Sequence, residues 1–175
     1  SMGLTPLEGL MMGTRTGDID PAVVFHLARQ GGMTIDEIDT LFNKQSGMKG
    51  LTGESDMRSV WEMIFNDDDK EAQHRARVAM DVYINRLLKY VGSYTAELGG
   101  LDVITFTAGI GENDWDVRKE LAQALEPFGV KIDLVANDGR IGEPRVISAP
   151  DSKVTLLVYP TNEEFAIARL ALEVI

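Results

Sequence analysis

The sequence predicts an α/β fold in which a parallel pair of strands is faced by several helices. Residues 103–106 and 154–159 are unbroken aliphatic, β-branched and aromatic runs without charge, the pattern of strands buried on both faces. Each is followed by a helix signal, and the order strand, helix, strand, helix implies parallel pairing. Ahead of them, Ala76, Met80, Tyr83, Leu87, Tyr90, Tyr94 and Leu98 recur at three- and four-residue steps. They form the apolar stripe of one long helix over 70–98.

The elements follow in order. Thr5-Pro6-Leu7-Glu8 combines a cap, an early proline and a glutamate that reaches back, which predicts a short helix ending at Gly13. Residues 13–19 are a polar turn. Asp20-Pro21 opens a second helix that stops at Gly31-Gly32, and Thr34-Ile35-Asp36-Glu37 is a capping box opening a third, to about Gln45. Residues 46–53 hold glycines 47, 50 and 53 and read as a loop. Ser55 or Asp56 caps a helix to about Asn66. Gly99-Gly100 ends the long helix. After the first strand, Asn113 or Asp114 starts a helix to about Leu125, with Val117, Leu121, Leu125 and Phe128 facing inward. Residues 130–148 read as two short strands around an Asn137-Asp138-Gly139 turn. Asn162 caps the last helix. Two strong core strands are few for so many helices, since sheets usually have more. The remaining strands are expected to come from elsewhere.

Composition bounds the function. The 175 residues, 44% hydrophobic and 26% charged, suit roughly one domain with a real core. A net charge of −11 argues against nucleic acid or an anionic membrane surface as partner. A small anion such as a nucleotide can still bind, because local dipoles and a bound cation outweigh a distant net charge. The absence of cysteine excludes disulfides, thiolate metal sites and cysteine nucleophiles. No apolar run approaches the ~20 residues that cross a bilayer, and no signal peptide leads the chain. The expected location is cytoplasmic.

Four segments could carry chemistry. Phe106-Thr107-Ala108-Gly109-Ile110-Gly111-Glu112-Asn113 takes a strand through a glycine turn into a helix. Glycines admit close approach of a ligand, and a helix start offers free N–H groups to a nucleotide. A tight turn needing glycine for its dihedrals explains the segment equally well. Arg15 lies on a loop between Gly13 and Gly17, where its planar fork suits phosphoryl oxygens. Its position alone favours a structural ion pair with Asp18 or Asp20. Pro160-Thr161-Asn162-Glu163-Glu164 follows the last strand, where ligands of α/β sheets collect. A carboxylate there suits Mg²⁺, although the helix dipole alone also accounts for acidic residues in a first turn. Asp56-Met57-Arg58 could contact a base or ribose, or be a cap beside a surface arginine. Asp67-Asp68-Asp69 reads as a solvated loop, His26 and His74 stand without a partner motif, and methionines 11, 12, 57, 63 and 80 read as core.

Together these segments resemble the acetate kinases. Residues 1–21, ending Gly13-Thr14-Arg15-Thr16-Gly17-Asp18-Ile19-Asp20-Pro21, look like the long signature stretch of that family, and Phe106–Asn113 and Pro160–Glu164 are similar to two further blocks. The resemblance implies an RNase H-like domain of the actin-like, sugar-kinase and heat-shock ATPase superfamily. It implies reversible, Mg²⁺-dependent phosphoryl transfer between ATP and acetate, giving acetyl phosphate and ADP. By position, Arg15 matches the arginine that stabilises the transferring phosphoryl group. Gly109, Ile110, Gly111, Glu112 and Asn113 match the nucleotide-binding turn, and Asp56, Met57 and Arg58 a second nucleotide-contacting segment. Glu163 matches the magnesium carboxylate. Ala108 stands where the wider superfamily often has glycine. The family's N-terminal domain, its catalytic histidine, and the His-Leu-Gly-Asn-Gly phosphate-binding segment with its strands are expected to lie outside these 175 residues. The chain is then a partial C-terminal nucleotide-binding domain, inactive alone. The resemblance further implies a homodimer, with propionate and butyrate kinases as alternatives within the family and a non-catalytic nucleotide-binding or dimerisation fragment as the alternative outside catalysis.

Overall fold

The structure is a computed structural model that describes residues 2–174, in two compact units that divide between residues 90 and 91.

The first unit is helical. It contains α1 (Ala22–Gln30), α2 (Ile35–Lys44), α3 (Gly47–Thr52), α4 (Met57–Asn66) and most of α5 (Lys70–Leu98). The α2 capping box forms as its sequence dictates, with the Thr34 side chain accepting from the Glu37 N–H and Glu37 reaching back to the Thr34 N–H. Asp56 caps α4. Ala76, Met80 and Tyr83 of the α5 stripe are buried with Met11, Phe42, Met48, Val60 and Trp61. The stripe is not buried along its whole length: Tyr94 and Leu98 are exposed. Met11 and Met80 are core as expected, while Met12, Met57 and Met63 are half-buried.

Two expectations fail here. Residues 5–13 form turns rather than a helix. The chain reverses at Gly9, whose φ is 110°, and Gly9 and Asp18 exchange bonds that close a loop: Asp18 N–H to the Gly9 carbonyl at 2.9 Å and Gly9 N–H to Asp18 Oδ1 at 2.7 Å. Residues 47–52 form α3 rather than a loop, ended by Gly53 in the left-handed conformation at φ 88°.

The second unit carries the sheet, in the order β1 (Val103–Phe106), β3 (Thr155–Val158), β2 (Arg145–Val146). β1 and β3 are parallel, Val103 opposite Thr155 and Phe106 opposite Val158. β2 runs antiparallel to β3, so the sheet is mixed. Around it lie α6 (Ala108–Asn113), α7 (Trp115–Ala124), α8 (Leu134–Asn137) and α9 (Glu163–Leu172). Val154, Leu156 and Val158 are buried with Val117, Leu121 and Leu125 of the α7 face, but Phe128 is exposed.

β1 is not the buried strand its composition suggests. Val103 is 51% exposed and only Phe106 is buried, because β1 stands at the sheet edge with a partner on one side among the described residues. Residues 130–148 also differ from a hairpin. Ile132 and Ser148 pair in one antiparallel bridge, but Asp133 caps a short helix between them through the Val135 and Ala136 N–H groups. Arg145–Val146 pairs with β3 instead. Asn162 caps α9 as expected, accepting from the Phe165 N–H, and no α9 side chain is buried.

Candidate functional site

In the second unit the parallel register places the carboxyl ends of β1 and β3 side by side. The Tyr159 N–H donates to the Phe106 carbonyl at 2.9 Å, and the chain leaves both strands at this edge. The glycine turn leaves from Phe106 and the Pro160–Glu163 segment from Val158. Ligands of such sheets bind beyond this edge.

The turn is one short helix, α6, entered through Ala108 at φ 59°. Ala108 is the sole non-glycine residue with positive φ among the described residues. That conformation costs an L-residue about 1–2 kcal/mol. The two glycines have different reasons. A Cβ on Gly111 would lie 3.0 Å from the Phe106 carbonyl carbon, so this glycine lets the turn fold back on β1. A Cβ on Gly109 would meet nothing within 4 Å, and its φ is not left-handed. The fold leaves room for a side chain at 109, as it does at Gly92, Gly100 and Gly142, and glycine there keeps the backbone open to close approach by a ligand. The tight-turn explanation therefore accounts for Gly111 and not for Gly109. Ile110 is exposed on the turn.

Glu112 ties the turn to the neighbouring loop. Its Oε1 accepts from the Ala108 N–H at 2.8 Å, the Thr161 N–H at 2.8 Å and the Thr161 hydroxyl at 3.1 Å. The Thr161 N–H does most to hold its carboxyl below the ordinary 4.5, against a burial effect that raises it, with the Thr161 hydroxyl and Ala108 N–H adding to the lowering. Asn113 donates to the Gly109 carbonyl at 2.8 Å and accepts from Arg140 Nε at 2.8 Å. Glu163 opens α9 with an exposed carboxylate.

Arg118 is the site-supporting residue that composition did not reveal. It is fully buried, and it donates to the Gly111 carbonyl at 2.9 Å, Asn137 Oδ1 at 2.7 Å, and the Asn137 and Gly139 carbonyls at 2.8 and 3.0 Å. Asn137 in turn donates to the Trp115 carbonyl at 2.9 Å. Burial pushes the guanidinium pKa down, opposed by Asp114 and reinforced by Arg145. It remains a cation, as guanidinium does in proteins. A helical wheel could have flagged it, since Arg118 sits three residues before Leu121 and seven before Leu125, on the inward face.

In the first unit the Arg15 turn is fastened at nearly every residue. Met12 N–H donates to the Arg15 carbonyl at 3.1 Å and Ser46 N–H to the Thr14 carbonyl at 3.0 Å. Met48 and Lys49 N–H donate to the Met12 and Gly13 carbonyls at 3.0 and 2.9 Å, and Thr16 N–H to the Phe42 carbonyl at 3.2 Å. The half-buried Arg15 side chain, by contrast, hydrogen-bonds only to the Met12 sulfur among the described residues, at 3.7 Å. The expected ion pair with Asp18 or Asp20 does not form. Asp18 is engaged by the Tyr90 hydroxyl at 2.7 Å and by Arg86, and Asp20 caps Ala22. A fixed backbone carrying an uncommitted guanidinium is an anion-binding arrangement.

Ser55, just before Asp56, packs on this turn: a Cβ on Gly13 would lie 2.8 Å from its carbonyl oxygen. Asp56 both caps α4 and pairs with Arg58, Oδ1 accepting from Arg58 Nε at 3.0 Å. The Arg58 side chain and N–H hold the Asp56 carboxyl at about 2, well below its usual range. Asp56 and Arg58 line an open groove of about 640 Å³ with Thr52, Glu54, Glu62 and Met63. Met57 is half-buried at the helix start. The structure thus brings Gly109–Asn113 and Glu163 to one sheet edge, and Arg15 and Asp56–Arg58 into one neighbourhood of the other unit.

The acetokinase family model matches residues 1–169. The chain belongs to the acetokinase family. An acetate kinase of Leifsonia xyli subsp. xyli is 53% identical over 175 residues, covering 100% of this chain and 43% of that protein. The crystal structure of Porphyromonas gingivalis acetate kinase superposes with a TM-score of 0.87 at 44% identity, over 99% of this chain and 42% of that one. A propionate kinase from Francisella tularensis subsp. tularensis gives a TM-score of 0.86 at 38% identity, over 96% and 41%. The acetokinase chain therefore spans about two fifths of the length of the relatives it matches. Its α/β fold with a parallel strand pair is that of the actin-like superfamily, as expected.

Proposed function

We propose that this chain is the C-terminal, nucleotide-side domain of an acetate kinase, which transfers a phosphoryl group reversibly between ATP and acetate. The observation that carries the reading is Gly109. It lies at the carboxyl edge of a parallel strand pair and is a glycine with no reason in the fold to be one. In this reading Gly109–Asn113 are the nucleotide-binding turn and Asp56–Arg58 a second nucleotide-contacting segment. Arg15 stabilises charge on the transferring phosphoryl group, the role a free planar guanidinium fits.

Mg²⁺ fits the residues present. Glu163 offers an exposed carboxylate with no described hydrogen bond or ion pair, at the same edge. Magnesium is commonly held by one or two carboxylates together with phosphate and water. Bound there, it would neutralise phosphate charge. The chain's own contribution is to seat the nucleotide and present Arg15.

The expected setting is a cytoplasmic homodimer acting on a small carboxylate. No described helix is long and apolar enough to cross a membrane. Propionate kinase is the second reading, favoured by the Francisella structure. Hydroxamate trapping of acyl phosphate tests the function. The full-length protein should form acetyl phosphate from acetate and ATP, and the 175 residues alone should not. A full-length protein that phosphorylates neither acetate nor propionate overturns it.

A further inference from the structure

We propose that Glu112 is a positioning residue that couples the nucleotide turn to the Glu163 loop, and that it does so through one carboxylate oxygen, Oε1. The inference rests on the nucleotide-site reading above and assigns Glu112 a different part in it.

Three donors converge on Oε1: the N–H of Ala108, the N–H of Thr161 and the Thr161 hydroxyl. Three hydrogen bonds leave that oxygen little capacity for a ligand. The donors belong to the two segments that matter. Ala108 enters the glycine turn, and its N–H is held at the position where the backbone is left-handed. Thr161 stands two residues before Glu163 and one before Asn162, the cap of the helix that presents Glu163. The tie spans 49 residues of sequence. The β1–β3 ladder ends with the Tyr159 to Phe106 bond. Beyond it, Glu112 is the hydrogen-bonded link between the two segments among the described residues.

The geometry makes the positions of Gly109 and Glu163 interdependent. A nucleotide that orders the turn then also orders the loop carrying the metal carboxylate. Because a single oxygen takes all three bonds, glutamine can reproduce the tie with its amide oxygen, whereas alanine cannot. This separates the tie from a role of the charge itself.

The test is titration of ADP, with and without Mg²⁺, into the full-length protein as wild type, Glu112→Gln and Glu112→Ala. The expected result is that Glu112→Gln keeps the Mg²⁺-dependent gain in ADP affinity. Glu112→Ala should lose about tenfold or more in the presence of Mg²⁺, as removal of a partner that orients a metal ligand does, and clearly less in its absence. Thr161→Val, which removes one bond and keeps the carboxylate, should move in the same direction by a smaller factor. It also serves if Glu112→Ala does not fold. Glutamine as damaging as alanine would show that the charge acts directly, and alanine binding like wild type would show that the tie is idle. Either result overturns the proposal. A wild type that binds no ADP at all instead removes the nucleotide-site reading, and this inference with it.

Discussion

Gly47 has no side chain because the Arg15 carbonyl oxygen stands 2.7 Å from where its Cβ would be, with the Met12 carbonyl oxygen nearer still at 2.1 Å. The residue that holds the Arg15 turn in shape thus lies at the start of α3, in a stretch whose glycines suggest a loop. Gly47→Ala must move that backbone and also adopt φ 63°. Gly53 is the control, at φ 88° with nothing within 4 Å. Gly53→Ala should cost about 1–2 kcal/mol from its dihedral. Gly47→Ala should cost more, by about 1–3 kcal/mol of overpacking. Urea unfolding of the two variants measures the difference.

Arg15 itself should be dispensable for folding. Among the described residues its side chain has one polar partner, the Met12 sulfur. Arg15→Ala in the full-length protein should leave the unfolding midpoint unchanged and lower turnover by about a thousandfold or more, the scale of an arginine acting on a transferring phosphoryl group. Steady-state kinetics and thermal unfolding of the same sample check both halves.

Arg118 should behave in the opposite way. Removing it strands the buried Oδ1 and carbonyl of Asn137, and buried groups left without partners cost about 1–3 kcal/mol each; the part-buried Gly111 and Gly139 carbonyls lose their donor as well. Arg118→Met should therefore lose several kcal/mol in urea unfolding. Arg118→Lys should not restore it, because a single ammonium cannot reach acceptors arranged around a planar fork.

Acid should weaken both units through carboxylates. Burial would raise the Asp18 pKa, but the Tyr90 hydroxyl, the Gly9 N–H and Arg86 outweigh it and hold it below its ordinary 3.8. Glu112 is held below 4.5. Depressed in the folded state, these groups stabilise fully above their unfolded values and lose that contribution as pH falls through their folded ones. The unfolding midpoint should be flat near neutrality and drop below about pH 4. Tyr90→Phe, which removes the donor to Asp18, should cost about 1–3 kcal/mol at pH 7, as a bond to a charged group does, and less at pH 3.

Much of the fold was legible because it rests on local signals. The Thr34 capping box, the Asp56 and Asn162 caps and the span of α5 are short-range chemistry, and each formed as read. What failed was decided at a distance. Gly9 is bonded to Asp18 and not to a helix, and Asn137 is held by Arg118, nineteen residues away, in place of a hairpin turn. The exposure of Val103 follows from which strands lie beside β1, something no run of apolar residues states. For the candidate site, the parallel register brings the 109–113 and 160–163 segments to one sheet edge, as the order of strands and helices suggests. Which glycine the fold itself requires emerged only from the space around Gly111 and Gly109.

That difference gives the most direct test of the nucleotide site. Mg-ADP should be titrated into the 175-residue chain as wild type and as Gly109→Ala, with thermal unfolding of each. Since a Cβ there meets nothing within 4 Å, the variant should be as stable as wild type or more so by up to about 1 kcal/mol. It should bind Mg-ADP more weakly by about tenfold or more, a loss of ~1.4 kcal/mol. Equal affinity in the two proteins, or no binding by the wild type, would contradict the account.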